Sequence, residues 1–223
     1  MTSTMTSESI GARLRIAAVV GCIAIGGLAV AADIPIRLSD LQATLDEVAA
    51  HAASYPPKFS TPEERAQIED HLETLLKLTD KILDRYPDNK EVLFVKGTAN
   101  AMGHNLDYPG SAERAMGAFE RLLSLDPNDR RAAYSYGVFL SQTTLQAKAV
   151  PYLTKAIQLG EERAHYTLGV TYLGMGAIQD AIPEFEAYLK VDPENAKVQK
   201  LVSDLKSGKE KFHVKVETSP KSQ

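Results

Sequence analysis

Residues 171–195 read TYLGMGAIQDAIPEFEAYLKVDPEN, a Gly-Met-Gly between two stretches whose apolar residues recur at helical spacing. A phosphate-cradling loop would need a strand before it and a Gly-Lys-Ser or a dinucleotide fingerprint around it, and neither is present. A bend between two antiparallel helices needs only a residue that tolerates positive φ where the first helix ends. The bend is therefore the reading, and it makes Tyr172 and Ala181 members of two helices folded against each other.

The same arrangement recurs upstream. Aligned on glycine, LFVKGTAN holds Gly97, AYSYGVFL holds Gly137 and HYTLGVTYL holds Gly169. Each precedes a second amphipathic stretch in which Ala115, Ala149 and Ala181 share one slot and Phe119, Leu153 and Phe185 another, four residues on. Leu122, Ala156 and Tyr188 follow three residues later. The helices stop at YPDN (86–89), LDPND (125–129) and VDPEN (191–195), with Glu161 in place of a proline after the second copy. In such a pattern small residues of the two helices face each other, and the large residue fills the seam and meets the next copy. The first copy places 18 positions between Gly97 and Ala115, against 12 from Gly137 to Ala149 and from Gly169 to Ala181. This assigns six extra residues to its inter-helix turn, within residues 103–110.

These residues resemble the tetratricopeptide repeat family. The third copy matches best, through Leu168-Gly169, Tyr172, Ala181, Phe185 and Pro193. The resemblance implies an all-α fold, a right-handed solenoid of antiparallel helix pairs: one repeat over 90–129 with its inserted turn, a second over 130–161, a third over 162–195. A divergent helix pair over 38–89 would precede them and a capping helix over 196–208 would close the array. In the N-terminal pair, Ser39 with Gln42 reads as a capping box and Thr61-Pro62-Glu63-Glu64 as a second helix start.

Both termini differ from this core. Arg13 and Arg15 precede an uncharged apolar run, Ile16 to Ala32, that contains Ala29-Val30-Ala31; residues 1–31 read as a signal peptide, with a retained membrane anchor as the alternative. VVGC, with the single cysteine Cys22, resembles a lipoprotein lipobox, although the apolar run continues past the cysteine. Export points to the periplasm, and retention to the inner membrane; membrane association is expected only if the run is kept or Cys22 is lipidated. Residues 209–223 read as a solvated, disordered tail, in which Phe212, Val214 and Val216 alternate as a strand-adding segment would.

Little in the chain points to chemistry. A net charge of −4 gives no basic field for nucleic acid. His51, His71, His104, His165 and His213 form no metal-binding spacing, and no nucleophile motif is present, so the reading is no enzyme, no catalytic residue, no metal and no cofactor. His71 reads as solvated and His165 as packed. The insertion, with His104, Asn105, Asp107 and Tyr108, offers polar groups for a ligand or partner, or is a tolerated surface loop.

The inner face of such a solenoid is lined by first helices. Helical spacing places there Glu91, Phe94, Thr98 and Ala101, then Arg131, Tyr134, Val138 and Ser141, then Arg163, Tyr166, Val170 and Leu173. Phe94, Tyr134 and Tyr166 form an aromatic ladder flanked by Arg131 and Arg163, a groove suited to a peptide or protein segment whose carboxylate the arginines would hold; alternatively the rings pack against neighbouring helices. The family's binders of chaperone tails use lysine and asparagine where this chain has aromatics, Thr98, Val138 and Val170. The expected function is a non-catalytic exported scaffold that binds a protein or peptide in the cell envelope and helps assemble a complex. The alternatives are a self-association module, homo-oligomeric through the apolar ends of the array, and a membrane-anchored assembly factor.

Overall fold

A computed structural model of the chain describes residues 37–208; the N-terminal export signal and the C-terminal tail inferred above lie outside these. Among the described residues there are nine helices and no strand: α1 (Leu38–Ala52), α2 (Pro62–Arg85), α3 (Lys90–Asn105), α4 (Ser111–Leu125), α5 (Arg130–Ser141), α6 (Gln146–Gln158), α7 (Ala164–Gly174), α8 (Ile178–Val191) and α9 (Ala196–Ser207). They form an all-α solenoid of helix pairs, α1–α2, α3–α4, α5–α6 and α7–α8, with α9 packed on α8. The first helices also stack on one another, α1 on α3, α3 on α5 and α5 on α7.

The proline-containing stops build the same turn three times. Tyr86, Asp126 and Asp192 each close a helix through their N–H, to Ile82, Leu122 and Tyr188. Three residues later Asn89, Asp129 and Asn195 cap the next helix, accepting from the N–H of Val92 (3.1 Å), Ala132 (3.0 Å) and Val198 (3.2 Å). Where Glu161 replaces the proline the chain turns otherwise: Gly160 takes φ +87°, and the N–H groups of Gly160 and Glu161 return to the carbonyls of Ile157 and Ala156. This is a Schellman turn. The Gly-Met-Gly bend uses the same device. Gly176, at φ +76°, and Ala177 donate to Leu173 and Tyr172.

The repeated glycine meets a different partner from the one expected. A Cβ at Gly97 would lie 2.9 Å from the Phe119 ring, at Gly137 2.7 Å from the Leu153 side chain, and at Gly169 2.9 Å from the Phe185 ring. Small therefore faces large across each hairpin, while Ala115, Ala149 and Ala181 are fully buried beside that contact. Phe119 stacks on Tyr136 with centroids 5.4 Å apart, Tyr152 meets Tyr136 at a tilt with centroids 4.5 Å apart, and the Tyr136 hydroxyl donates to Glu120 at 2.8 Å.

Two local expectations fail. Ser39 does not cap α1: the extended residue before the helix is Arg37, Ser39 lies inside the first turn, and the Gln42 amide donates to Asp46. The other concerns the insertion. Most of the extra residues lengthen α3, which runs 16 residues against 12 for α5 and 11 for α7, and the turn that follows is short. Asp107 ends α3 at φ +62°, with Asp107 and Tyr108 donating to His104 and Gly103.

Candidate functional site

The first-helix face carries an open cavity of about 160 Å³ between α3 and α5. Thr98, Ala101, Met102 and Asn105 of α3 line one wall; Tyr134, Ser135, Val138, Phe139 and Gln142 form the other. Phe119 contributes to the lining, as does Ala53, the residue that closes α1. No lining residue carries a charge. The Thr98 hydroxyl is turned onto its own helix, donating to the Phe94 carbonyl at 2.9 Å, which leaves its methyl group as the more available surface.

The lengthened α3 builds part of this site. The buried Asn105 side chain donates to the Ala52 carbonyl at 2.9 Å and so ties the end of α1 to the end of α3. Leu106 and Tyr108 join the core of the N-terminal pair, and the Tyr108 hydroxyl reaches the Glu69 carbonyl at 3.5 Å. Burial pushes the Tyr108 hydroxyl up to about 12. His104 is half-buried, edge-on to Phe139 at 5.7 Å, and burial lowers its pKa. The insertion is thus a joint between α1–α2 and the first repeat, in place of an exposed polar loop.

The arginines are already engaged within the chain. Arg131 makes two hydrogen bonds to Glu91, at 2.8 and 3.0 Å, and a third to Asp129 at 3.3 Å, while its guanidinium lies 4.9 Å from the Phe94 ring centroid. The bond to Glu91 raises its pKa further above the ordinary arginine value. Arg163 donates to Glu161 at 2.8 Å and lies 5.6 Å from the Tyr134 ring. Each arginine therefore covers the aromatic ring of the preceding repeat. Each arginine thus already carries a carboxylate of its own chain, Arg131 through both terminal nitrogens and Arg163 through Nε.

Tyr166, the last rung, is 43% exposed and rests on Phe185 and Tyr188. Phe94, Tyr134 and Val138 are half-buried against the core of the middle repeats, and Val170 against the core beneath α9. Leu173 does not belong to an open face. It is buried with Ala181, Phe185, Val198, Val202 and Leu205, under the capping helix. The structure thus brings Thr98, Tyr134 and Val138 together at one cavity, with Ala101, and places Arg131 and Arg163 at the starts of the helices. Sequence reasoning missed Ser135, Phe139 and Gln142, as well as Ala53, which comes from another helix pair and carries no signal of its role.

Two further histidines lie between paired helices. His71 is half-buried, its Nδ1 3.1 Å from Glu47 between α2 and α1 but without a hydrogen bond, so it is not simply solvated. His165 Nδ1 lies 2.6 Å from Glu184, joining α7 to α8.

Comparisons with known proteins agree with this architecture. Residues 162–195, the third copy, match the family model described as tetratricopeptide repeat. The solved structure of MamA superposes with a TM-score of 0.56 at 21% identity, covering 68% of this chain and 86% of that one. MamA residues 41 to the end from Desulfovibrio magneticus RS-1 give 0.53 at 24% identity, covering 66% and 80%. A thermophilic TPR protein of Thermus thermophilus gives 0.51 at 16% identity, covering 76% and 92%. At these identities the likeness is one of fold.

Proposed function

We propose that this chain is a non-catalytic scaffold that takes a segment of a protein or peptide partner on its first-helix face, after export to the cell envelope, and there contributes to the assembly of a complex. The observation that carries the reading is the uncharged cavity between α3 and α5, lined by Thr98, Tyr134 and Val138. A concave apolar site with a few polar groups at its edge suits an anchoring side chain, and the half-exposed ladder beyond it extends the contact. With Arg131 and Arg163 neutralised internally, apolar contact and shape rather than a carboxylate clamp would select the partner.

Support for export comes from Arg13, Arg15 and the apolar run ending near Ala31. Among the described residues no helix is long and apolar enough to cross a membrane. Self-association through apolar ends has less support. Exposed on α1 are Asp40, Asp46 and Glu47 beside Leu38, and on α9 Lys197, Gln199, Lys200 and Ser203, so the terminal helices expose mostly polar side chains.

Recovery of partners from envelope extract, compared between the native chain and Val138→Glu and Tyr134→Ala variants, tests the groove. Loss of the same partner in both variants is expected; undiminished recovery with both would remove the groove from the mechanism. Determining the mass of the natural N-terminus tests cleavage after Ala31.

A further inference from the structure

We propose that the cavity between α3 and α5 is built for a tyrosine side chain on the partner segment, with Asn105 Oδ1 accepting from the tyrosine hydroxyl. This rests on the groove reading above and names the chemistry of the anchor. The starting point is Asn105, which lines the cavity and is only 5% exposed. Its Nδ2 is engaged by the Ala52 carbonyl at 2.9 Å, and that bond fixes which way round the amide sits. No group among the described residues donates to its Oδ1. Only His71 Nδ1 is fully enclosed there without a hydrogen bond, so Asn105 Oδ1 keeps an opening. On a buried residue that lines the cavity, that opening is the cavity itself. The site therefore holds an acceptor pinned in place from behind.

The rest of the lining selects a neutral aromatic ring. Phe119, Tyr134 and Phe139 contribute three rings and Met102 a thioether sulfur, and both kinds of group favour an aromatic neighbour beyond simple burial. No lining residue is charged, so a charged anchor would lose its water without gaining a counter-ion. The volume of about 160 Å³ matches the size of cavity, about 150 Å³, that holds one benzene molecule. One six-membered ring fills it, whereas the two fused rings of tryptophan would not enter fully. A phenylalanine ring suits the walls but covers Oδ1 without giving it a donor, which costs more than a typical hydrogen bond contributes. Serine or threonine supplies a donor and leaves the rings without contact. Tyrosine supplies both, with its hydroxyl at the tip of the ring.

The test uses the isotope-labelled full chain and three small probes. They are p-cresol, the tyrosine side chain; p-methylanisole, which can accept a hydrogen bond but not donate one; and toluene, the phenylalanine side chain. Each is titrated while backbone amide shifts are followed by nuclear magnetic resonance. Shifts are expected at Ala101, Ser135 and Gln142, with p-cresol binding at least about threefold tighter than either other probe. Equal or weaker binding of p-cresol overturns the proposal, and so do shifts centred elsewhere, such as around exposed Tyr166. In Asn105→Leu the preference for p-cresol should disappear. Loss of the tie to Ala52 would weaken all three probes alike, so an Asn105 with a purely structural role would leave their ratio unchanged, and an unchanged ratio overturns the proposal. If Asn105→Leu does not fold, the comparison of p-cresol with p-methylanisole on the native chain decides alone. Should all three probes bind equally at the cavity, the tyrosine preference falls and the groove stands. Should none shift those amides, this proposal falls, and partner recovery with Val138→Glu decides the groove separately.

Discussion

Of the three repeated glycines, Gly137 leaves least room for a side chain, and an added methyl group there should do measurable damage. A Cβ there would sit 2.7 Å from both Cγ and Cδ2 of Leu153 and 3.2 Å from the Leu153 backbone nitrogen. Leu153 is fully buried, so its side chain has nowhere to swing, and the nearby backbone nitrogen prevents relief by a rotamer change alone. Alanine gains about 1 kcal/mol of helix propensity over glycine. Forcing a methyl group into a close-packed seam costs about 1–3 kcal/mol, and the backbone contact places this site at the upper end. Gly137→Ala should therefore destabilise by about 1–2 kcal/mol, lowering the melting temperature by about 3–6 °C for a chain of this size. Gly117 supplies the control, because a Cβ there meets nothing within 4 Å and Gly117→Ala should stabilise by about 1 kcal/mol. Urea and thermal unfolding followed by helical circular dichroism reads both. In a double-mutant cycle Leu153→Ala alone should cost about 2–5 kcal/mol, and the pair should cost at least about 1 kcal/mol less than the sum, since the smaller side chain makes room for the methyl. If Gly137→Ala stabilises as much as Gly117→Ala, the small-against-large seam is not what holds the hairpin together.

Leu173→Ala, beneath α9, should cost about 2–5 kcal/mol in the same melts and leave partner recovery unchanged; a lost partner with unchanged stability would return Leu173 to the groove. Asn105→Ala leaves the buried Ala52 carbonyl without its donor and should cost about 1–3 kcal/mol, with amide exchange accelerating in α1 before α7; equal acceleration in both helices would contradict the local joint. The Tyr108 hydroxyl, raised from an ordinary 10.0 to about 12, binds its proton more tightly in the folded chain. Its contribution is complete below pH 10 and is lost as pH rises towards 12. The drop in urea midpoint across that window should be smaller in Tyr108→Phe, and an identical drop would place the loss at other groups, such as Tyr136, whose pKa burial also raises.

What the sequence made legible was whatever a short local pattern controls. The proline-containing turns between pairs, and the recurrence of glycine followed by alanine and a large apolar residue within each pair, are both set by neighbours close in the chain. Readings failed where the deciding partner lies elsewhere in the chain. A capping box at Ser39 is sound as a pattern, yet a cap requires extended backbone at that residue, and the chain enters the helix two residues earlier at Arg37. Leu173 falls on the inner face by helical spacing alone; α9, packed over the third repeat, buries it. Arg131 read as open to a partner's carboxylate because Glu91, forty positions earlier, becomes its neighbour only when repeats stack.

The insertion joins these two kinds of evidence. As a departure from the repeat spacing it was visible at once, but its length alone could not distinguish a loop from an added helical turn. Folding decides in favour of the turn because Asn105 and Leu106 gain buried partners there, the Ala52 carbonyl and the N-terminal core. That choice carries through to the candidate site: Met102 and Asn105 on the lengthened α3 form one wall of the cavity, and the bond from Asn105 to Ala52 holds neighbouring Ala53 at its edge. The divergent N-terminal pair therefore contributes to the candidate face as well as covering the first repeat. By the same geometry Asn105→Ala should weaken partner capture as well as stability, whereas Gly137→Ala, whose clash is with the second helix of its hairpin, should act mainly on stability. Equal loss of capture in the two variants at matched stability would separate the cavity from the joint that shapes it.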